Sequence, residues 1–333
     1  MRMKFALLGA GRIGKVHAEA VAGNAGAELV AVADDFAQAA EEIRARYGAS
    51  VRTLDDIETA DDIDAVIICT PTDTHADLIE RFARAGKAIF CEKPIDLDIA
   101  RVRACLDVVS TAGTTLMVGF NRRFDAHFLA LRQAIDEGRI GHVEMVQITS
   151  RDPGPPPVDY IKRSGGIFRD MTIHDLDMAR FLLGEEPVAV TARASVLVAD
   201  EIGAAGDFDS ANVIVETRSG RQCAIGNSRR ATYGYDQRIE VLGSLGMVAA
   251  ENQRAHSIEL ATAEGFTRPP LHDFFMTRYT QAYAAEIAAF IAAVQNGTPA
   301  TPSGEDGLAS LILAEAALRS VTEGRTIAVA EIT

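Results

Sequence analysis

The chain reads as two domains: an α/β domain with a doubly wound parallel sheet over residues 1–120, then an α+β domain with a large, mostly antiparallel open sheet over residues 121–333. Three observations predict this. Short apolar runs alternate with longer helical stretches through the first third of the chain, the pattern of strand–helix–strand crossovers. A glycine-rich turn lies between the first of those runs and the first helix. From Val143 onward, strands with period-two alternation follow one another without helices between them, which argues for antiparallel pairing. A chain of 333 residues also exceeds what one hydrophobic core usually supports.

Lys4–Leu8 is a short buried strand, Gly9-Ala10-Gly11-Arg12-Ile13-Gly14 follows at once, and Lys15–Ala22 continues as a helix. Strand, glycines and helix in this order are the context a Rossmann dinucleotide turn requires. Gly9 permits the tight turn, Gly11 lets backbone approach a pyrophosphate, and Gly14 lets the helix sit close on the strand while its first amides face the phosphates. The second strand, Glu28–Ala33, ends at Asp34, about twenty residues past Gly14, where a carboxylate accepts both ribose hydroxyls and repels a 2′-phosphate. The next basic residue is Arg44, so the expected cofactor is NAD rather than NADP.

The alternation continues with Ala65–Cys69, a helix over His75–Ala85, Ala88–Cys91, a helix over Ile99–Val109, and Thr115–Gly119. Ligands of such sheets bind outside the carboxyl ends of the strands, so residues 70–72, 92–94 and 119–121 should face the nicotinamide. The cofactor set expected is therefore Gly9, Gly11, Arg12, Ile13, Gly14 and Asp34, with Thr70, Pro71, His75, Glu92, Lys93 and Asn121 on the nicotinamide side. His75 opens a helix beside the cofactor loop and reads as a local cap or a cofactor-lining group. His17, His127 and His142 read as structural.

After Phe120-Asn121-Arg122-Arg123-Phe124 comes a helix to about Asp136, then strands over His142–Ser150, Val188–Val198, Ser210–Thr217, Gln222–Ser228, Arg238–Leu242 and Ser257–Thr262. Pro153-Gly154-Pro155-Pro156-Pro157 is a stiff loop. Helices near Tyr279–Gln295 and Glu305–Glu323 close the chain. A sheet with helices on one face needs cover on the other. Val188, Val190, Val196 and Val198 are expected on that open face, and with them a homo-oligomer built sheet against sheet.

Residues 165–184 carry the densest chemistry. Read as a helix advancing about 100° per residue, the stretch puts Asp170, His174 and Asp177 on one stripe. Phe168, Met171, Leu176, Ala179 and Leu182 form a separate apolar stripe. Gly165-Gly166 allows a tight lead-in and Gly184 supplies a stop. An imidazole between carboxylates suits proton transfer, but the same residues could be a surface pair or half of a metal site.

Composition limits the function classes. Hydrophobic residues make up 48% and charged residues 24%, as in ordinary globular proteins, and the net charge of −14 disfavours nucleic acid and anionic membranes. Cys69, Cys91, Cys105 and Cys223 show no metal-like spacing and ask for no oxidising compartment. The opening Met1–Leu8 superficially mimics a secretory signal, but Arg12 follows too soon, and no apolar run is long enough to span a membrane. The expected location is the cytoplasm.

Together, Gly9–Gly14, Phe90-Cys91-Glu92-Lys93-Pro94-Ile95-Asp96, Asn121-Arg122-Arg123-Phe124 and Gly165–Gly184 resemble the Gfo/Idh/MocA oxidoreductases, in particular their inositol 2-dehydrogenase branch, over essentially the whole chain. The resemblance implies NAD-dependent oxidation of a cyclic polyol, with Lys93, Asp170 and His174 as the catalytic set and no metal. It implies ring-hydroxyl contacts from Arg123, Asp152, Asp177, Tyr233 and Tyr235, and tetramers assembled through the C-terminal sheets. An imidazole, with its ordinary pKa of about 6.5, suits taking a hydroxyl proton near neutrality, and a lysine ammonium stabilises the alkoxide that forms. Other readings of the same residues are scyllo-inositol or aldose oxidation, a noncatalytic NAD-sensing regulator that would lack Lys93 or His174, and a metal-dependent hydrolase or lyase. The motifs do not decide between inositol stereoisomers.

Overall fold

The computed structural model describes residues 2–332, which divide into two compact units. The first runs through Asp125 and takes back Thr280–Leu311; the second comprises Ala126–Tyr279 and resumes at Ile312. Its opening elements are β1 (Met3–Leu8), α1 (Arg12–Ala22), β2 (Ala27–Ala33), α2 (Ala37–Tyr47), β3 (Ser50–Val51), α3 (Leu54–Thr59), β4 (Ala65–Ile68), α4 (His75–Arg84), β5 (Ala88–Cys91), α5 (Ile99–Ala112) and β6 (Leu116–Val118). The six strands pair in the order β3-β2-β1-β4-β5-β6, every pair parallel. This is the doubly wound order expected, with its switch point between β1 and β4. Strands β4 and β5 are buried at every position, as a sheet covered on both faces demands.

The second unit contains α6 (Ala126–Asp136), β7 (Val143–Arg151), α7 (Val158–Ser164), a π-helical turn at Phe168–Thr172, α8 (Ile173–Leu183), β8 (Pro187–Ser195), α9 (Asp200–Ala204), β9 (Ser210–Thr217), β10 (Gln222–Ser228), β11 (Asp236–Gly243), β12 (Gly246–Ala250), the hairpin β13 (Leu260–Thr262) with β14 (Gly265–Thr267), and α10 (Phe275–Arg278). The helix α11 (Thr280–Asn296) belongs to the first unit, α12 (Gly304–Glu323) begins there and continues in the second, and β15 (Ile327–Ala328) ends the second sheet. That sheet has the order β12-β11-β7-β10-β9-β8-β15. Only β10 and β7 run parallel among the described pairs, so the sheet is mixed and mostly antiparallel. Helix α8 packs against β7 and β10 and covers one face.

A division at residue 120 leaves 280–311 on the other side from the unit it packs in. Helix α11 contributes Ile287, Phe290, Ile291 and Ala293 to the core built around Phe5, Leu7, Val32, Ile67 and Phe90. Phe290 meets Phe5 and Phe90 at centroid separations of 6.1 and 5.9 Å. Each such buried side chain contributes roughly 1.5–3 kcal/mol.

Two expectations about the second sheet need correction. Val188, Val190, Val196 and Val198 do not share its open face: Val188 is 39% exposed whereas Val190 is fully buried. A register shift between Pro187 and Ala189 breaks the period-two rule, and Val196 and Val198 lie past the end of β8. The exposed apolar row runs instead through Met145, Leu242 and Met247, which are cross-strand partners on β7, β11 and β12. The strand expected at Ser257–Thr262 shrinks to β13, which pairs with β14 outside the main sheet.

Candidate active site

At the carboxyl edge of the first sheet, each glycine of the turn has a distinct task. Gly9 adopts φ 91°, and a Cβ there would lie 2.7 Å from the Cys69 carbonyl carbon. A Cβ on Gly14 would lie 2.0 Å from Gly9 O, so only glycine lets α1 start this close to β1. Among the described residues nothing lies within 4 Å of the Gly11 Cβ position, leaving open space in front of the first amides of α1. Such a surface fits a pyrophosphate. Asp34 accepts from Ala10 N at 2.6 Å through Oδ2 and from Phe36 N at 2.7 Å through Oδ1, which fixes its carboxylate against the glycine turn. Each oxygen keeps a lone pair for a ribose hydroxyl. These residues fit NAD.

The loops after β4 and β5 are tied together by His75. Its Nδ1 lies 2.8 Å from Pro94 O and its Nε2 2.8 Å from Thr70 O, with the residue 2% exposed. Burial lowers its pKa, opposed by the hydrogen bonds to the two carbonyls. The ring is thus committed to backbone and joins the Thr70-Pro71 turn, itself pinned by Thr74 Oγ1 donating to Pro71 O, to the turn that carries Lys93. Lys93 is half-buried there, while the Glu92 carboxylate turns inward to His17. Asn121 and Arg123 are buried, and Arg123 Nη2 donates to Asp306 Oδ1 at 3.0 Å.

In the second unit, Gly165 and Gly166 both take positive φ, 84° and 79°, and lead into the π-helical turn that carries Asp170. His174 follows in the first turn of α8. The apolar stripe is as expected: Phe168, Met171, Leu176, Ala179 and Leu182 are all buried. Tyr160 donates to Asp170 Oδ1 at 2.8 Å, and Arg229 Nη1 lies 3.4 Å from Asp170 Oδ2. Arg229 Nη2 is 3.6 Å from Asp207, whose Oδ1 accepts from Ile167 N at 2.9 Å. The start of α8 is anchored from the sheet as well. Asn227 on β10 accepts from the Thr172 hydroxyl at 2.7 Å and donates to Asp175 Oδ2 at 2.8 Å.

Two models of known families match this chain. One, described as an oxidoreductase family with an NAD-binding Rossmann fold, matches residues 3–120; the other, described as the GFO/IDH/MocA C-terminal domain, matches residues 128–249. The chain is 73% identical over 330 residues to the inositol 2-dehydrogenase of Rhizobium meliloti (strain 1021), covering 99% of this chain and 100% of that one. The chain belongs to the Gfo/Idh/MocA oxidoreductase family. Among solved structures, the myo-inositol dehydrogenase of Corynebacterium glutamicum superposes with a TM-score of 0.95 at 44% identity, covering 98% of this chain and 99% of that one. The scyllo-inositol dehydrogenase of Lactobacillus casei, with bound NAD(H) and scyllo-inositol, superposes with a TM-score of 0.92 at 29% identity, covering 99% and 100%.

The remaining residues singled out in this Gfo/Idh/MocA oxidoreductase have different surroundings. Asp177 is fully buried, 3.7 Å from Arg180 Nη1. Tyr235 is buried edge-on to Phe274 and Tyr279. Tyr233 is half exposed and sits in a chain in which Arg151 Nη1 donates to its hydroxyl, which donates to Asp236 Oδ2 at 2.6 Å. Burial and the Asp236 carboxylate raise the Tyr233 pKa. Asp152 is half-buried, its amide donating to Ser228 O.

Sequence reasoning missed Arg229, Asp207, Tyr160 and Asn227. For Asn227 a signal existed: it follows Cys223 and Ile225 on the inward face of β10, and a polar residue in that series marks a buried partner. Arg229 and Asp207 carried no such pattern.

Proposed function

We propose that this oxidoreductase oxidises one ring hydroxyl of a cyclic polyol with NAD, taking myo-inositol to 2-keto-myo-inositol (scyllo-inosose). The observation that carries this reading is the 73% identity to an inositol 2-dehydrogenase across essentially the full length of both chains. His174 takes the hydroxyl proton on its imidazole. With its Nδ1 buried, Nε2 is the nitrogen assigned to the substrate. The neighbouring carboxylate of Asp170, held by Tyr160 and Arg229, stabilises the imidazolium that results. Lys93 offers its ammonium to the same oxygen and stabilises the developing alkoxide. When bound, NAD would supply the hydride acceptor for the carbinol carbon. Arg123, Asp152, Asp177, Tyr233 and Tyr235 are assigned as contacts of the other ring hydroxyls.

NAD would be held by Gly9, Gly11, Arg12, Ile13 and Gly14 at its phosphates and by Asp34 at its ribose, with Thr70, Pro71, His75, Glu92, Lys93 and Asn121 shaping the nicotinamide end. No metal takes part in this scheme. We assign the reaction to polyol catabolism in the cytoplasm, since the four cysteines are all free and buried, as a reducing compartment allows. No helix among the described residues is long and apolar enough to cross a membrane. The working assembly is a homotetramer whose subunits meet through the open face of the second sheet. A second reading, scyllo-inositol as the preferred substrate, draws on the Lactobacillus casei relative.

The test is an absorbance screen for NADH with myo-inositol, scyllo-inositol, D-chiro-inositol, D-glucose and L-glucose. Myo-inositol is expected to give the highest kcat/KM. No turnover with any cyclitol would sink the proposal.

A further inference from the structure

Beneath the turn that carries Lys93, three buried polar side chains converge from three elements of the first unit: His17 of α1, Glu92 after β5 and Glu286 of α11. One nitrogen or oxygen from each lies within 4.8 Å of the other two. His17 Nε2 and Glu92 Oε1 are hydrogen-bonded at 2.7 Å. Glu286 is fully buried, and neither of its carboxyl oxygens has a hydrogen-bond partner among the described residues.

A metal ion does not account for this cluster. Two atoms bound to one tetrahedral ion at about 2.1 Å each would stand roughly 3.4 Å apart, and His17 and Glu92 are closer than that. Two ionised carboxylates do not account for it either, because both charges would share a low-dielectric space with no cation among the described residues bonded to Glu286. The surroundings sort the two acids. Glu92 keeps the N–H of His17 and some solvent, with its side chain 12% exposed; Glu286 has neither.

We propose that Glu286 is a neutral carboxylic acid beside an ionised Glu92, and that its neutrality makes it a positioning residue for the 92–94 turn and hence for the nicotinamide end of NAD. Burial first, and then the Glu92 charge, push the Glu286 carboxyl well above the usual range. The Glu92 carboxylate also lies 3.2 Å from where a Cβ of Gly119 would stand, so it fills the space at the end of β6. One side chain therefore braces the helix that starts at the glycine turn, the turn of Lys93 and the 119–121 loop. If Glu286 lost its proton, the two carboxylates would repel. Glu92, the less buried of the two, is the one that repulsion would displace, and it would carry the turn with it.

The other titratable groups facing Glu286 do not relieve that repulsion. Cys69 at the end of β4 has its thiol pKa raised by burial and by both glutamates, and Tyr283 stands edge-on to His17 at 5.5 Å. The 121–124 turn packed on α11 brings Arg122 and Arg123, and Arg123 is engaged by Asp306. The inference rests on assigning the 92–94 turn to the nicotinamide side.

The test uses the full chain with NAD as the only ligand. Infrared spectra of the unaltered protein at neutral pH should contain the C=O stretch of a protonated carboxylic acid that Glu286→Gln removes. NAD affinity of the unaltered protein should fall on the order of tenfold as pH rises through the alkaline range. Glu286→Gln, the isostere of the neutral acid, should bind NAD as the unaltered protein does at neutral pH and keep that affinity under alkali. Absence of the protonated-acid band from the unaltered protein would overturn the proposal, whatever the variants do. So would an alkaline loss of affinity in Glu286→Gln equal to that of the unaltered protein, or one tightly held metal ion per chain. The assignment of the turn fails separately, if Lys93→Met leaves turnover unchanged, because the infrared band and the NAD titration do not depend on turnover.

Discussion

At the scale of single residues, the imidazole of His174 and the carboxylate of Asp34 carry the most direct consequences. His174→Ala removes the proposed proton acceptor and touches no part of the glycine turn, so kcat should fall by roughly 10²–10⁴ with the Kd for NAD unchanged. Steady-state kinetics with myo-inositol beside a fluorescence titration of NAD measure both, and unaltered kcat would dismiss the role. Asp34 accepts from Ala10 N of the glycine turn and from Phe36 N, and its remaining lone pairs are those proposed for the ribose. Asp34→Ser should weaken NAD and narrow the preference for NAD over NADP, because the negative charge facing a 2′-phosphate is gone. Titration with both cofactors decides it; an unchanged ratio removes the ribose contact.

At the scale of elements, the π-helical turn at Phe168–Thr172 is the unit that matters. An extra residue per turn is rarely stable by itself and is common at functional sites. Here it is held from several directions: Asp207 caps Ile167 N, Thr172 and Asp175 bond Asn227, and Tyr160 and Arg229 flank Asp170. Gly166 is required as well, since a Cβ would meet Asp207 Oδ1 at 2.6 Å at a φ of +79°. Arg229 is 1% exposed and is the cation between Asp170 and Asp207. Arg229→Met leaves those carboxylates without it and should lower stability by about 3–5 kcal/mol, read from urea unfolding. A loss below the scatter of such curves would mean that the ion pairs are idle.

At the scale of the whole molecule, assembly is the property most open to test. Helices cover one face of the second sheet, and the other exposes Met145, Leu242, Met247 and Ile214. A charge in the middle of that row should be tolerated by the lone subunit and should split a sheet-to-sheet oligomer. Leu242→Asp is therefore expected to lower the mass measured by light scattering while leaving the circular dichroism unchanged. A monomeric unaltered chain at working concentration would remove the tetramer from the proposal.

Much of this was legible before any coordinates. The turn at Gly9–Gly14, the alternation that yields β1 to β6, and the apolar stripe of α8 are written in local spacing, because strand and helix periods and glycine geometry act over a few residues. Local spacing could not show that Val188 and Val190 face opposite ways, since a one-residue shift in pairing is a property of two strands. Nor could it show that Thr280–Leu311 returns to the first unit, that His75 ties Thr70 to Pro94, or that Arg229 lies against Asp170 fifty-nine positions away. By itself the sequence determined the fold class, the cofactor turn and the spacing of Asp170 and His174. Only the tertiary structure decided which buried charges surround them, because the cost of an unpaired charge depends on which neighbours packing brings close and how much water it excludes.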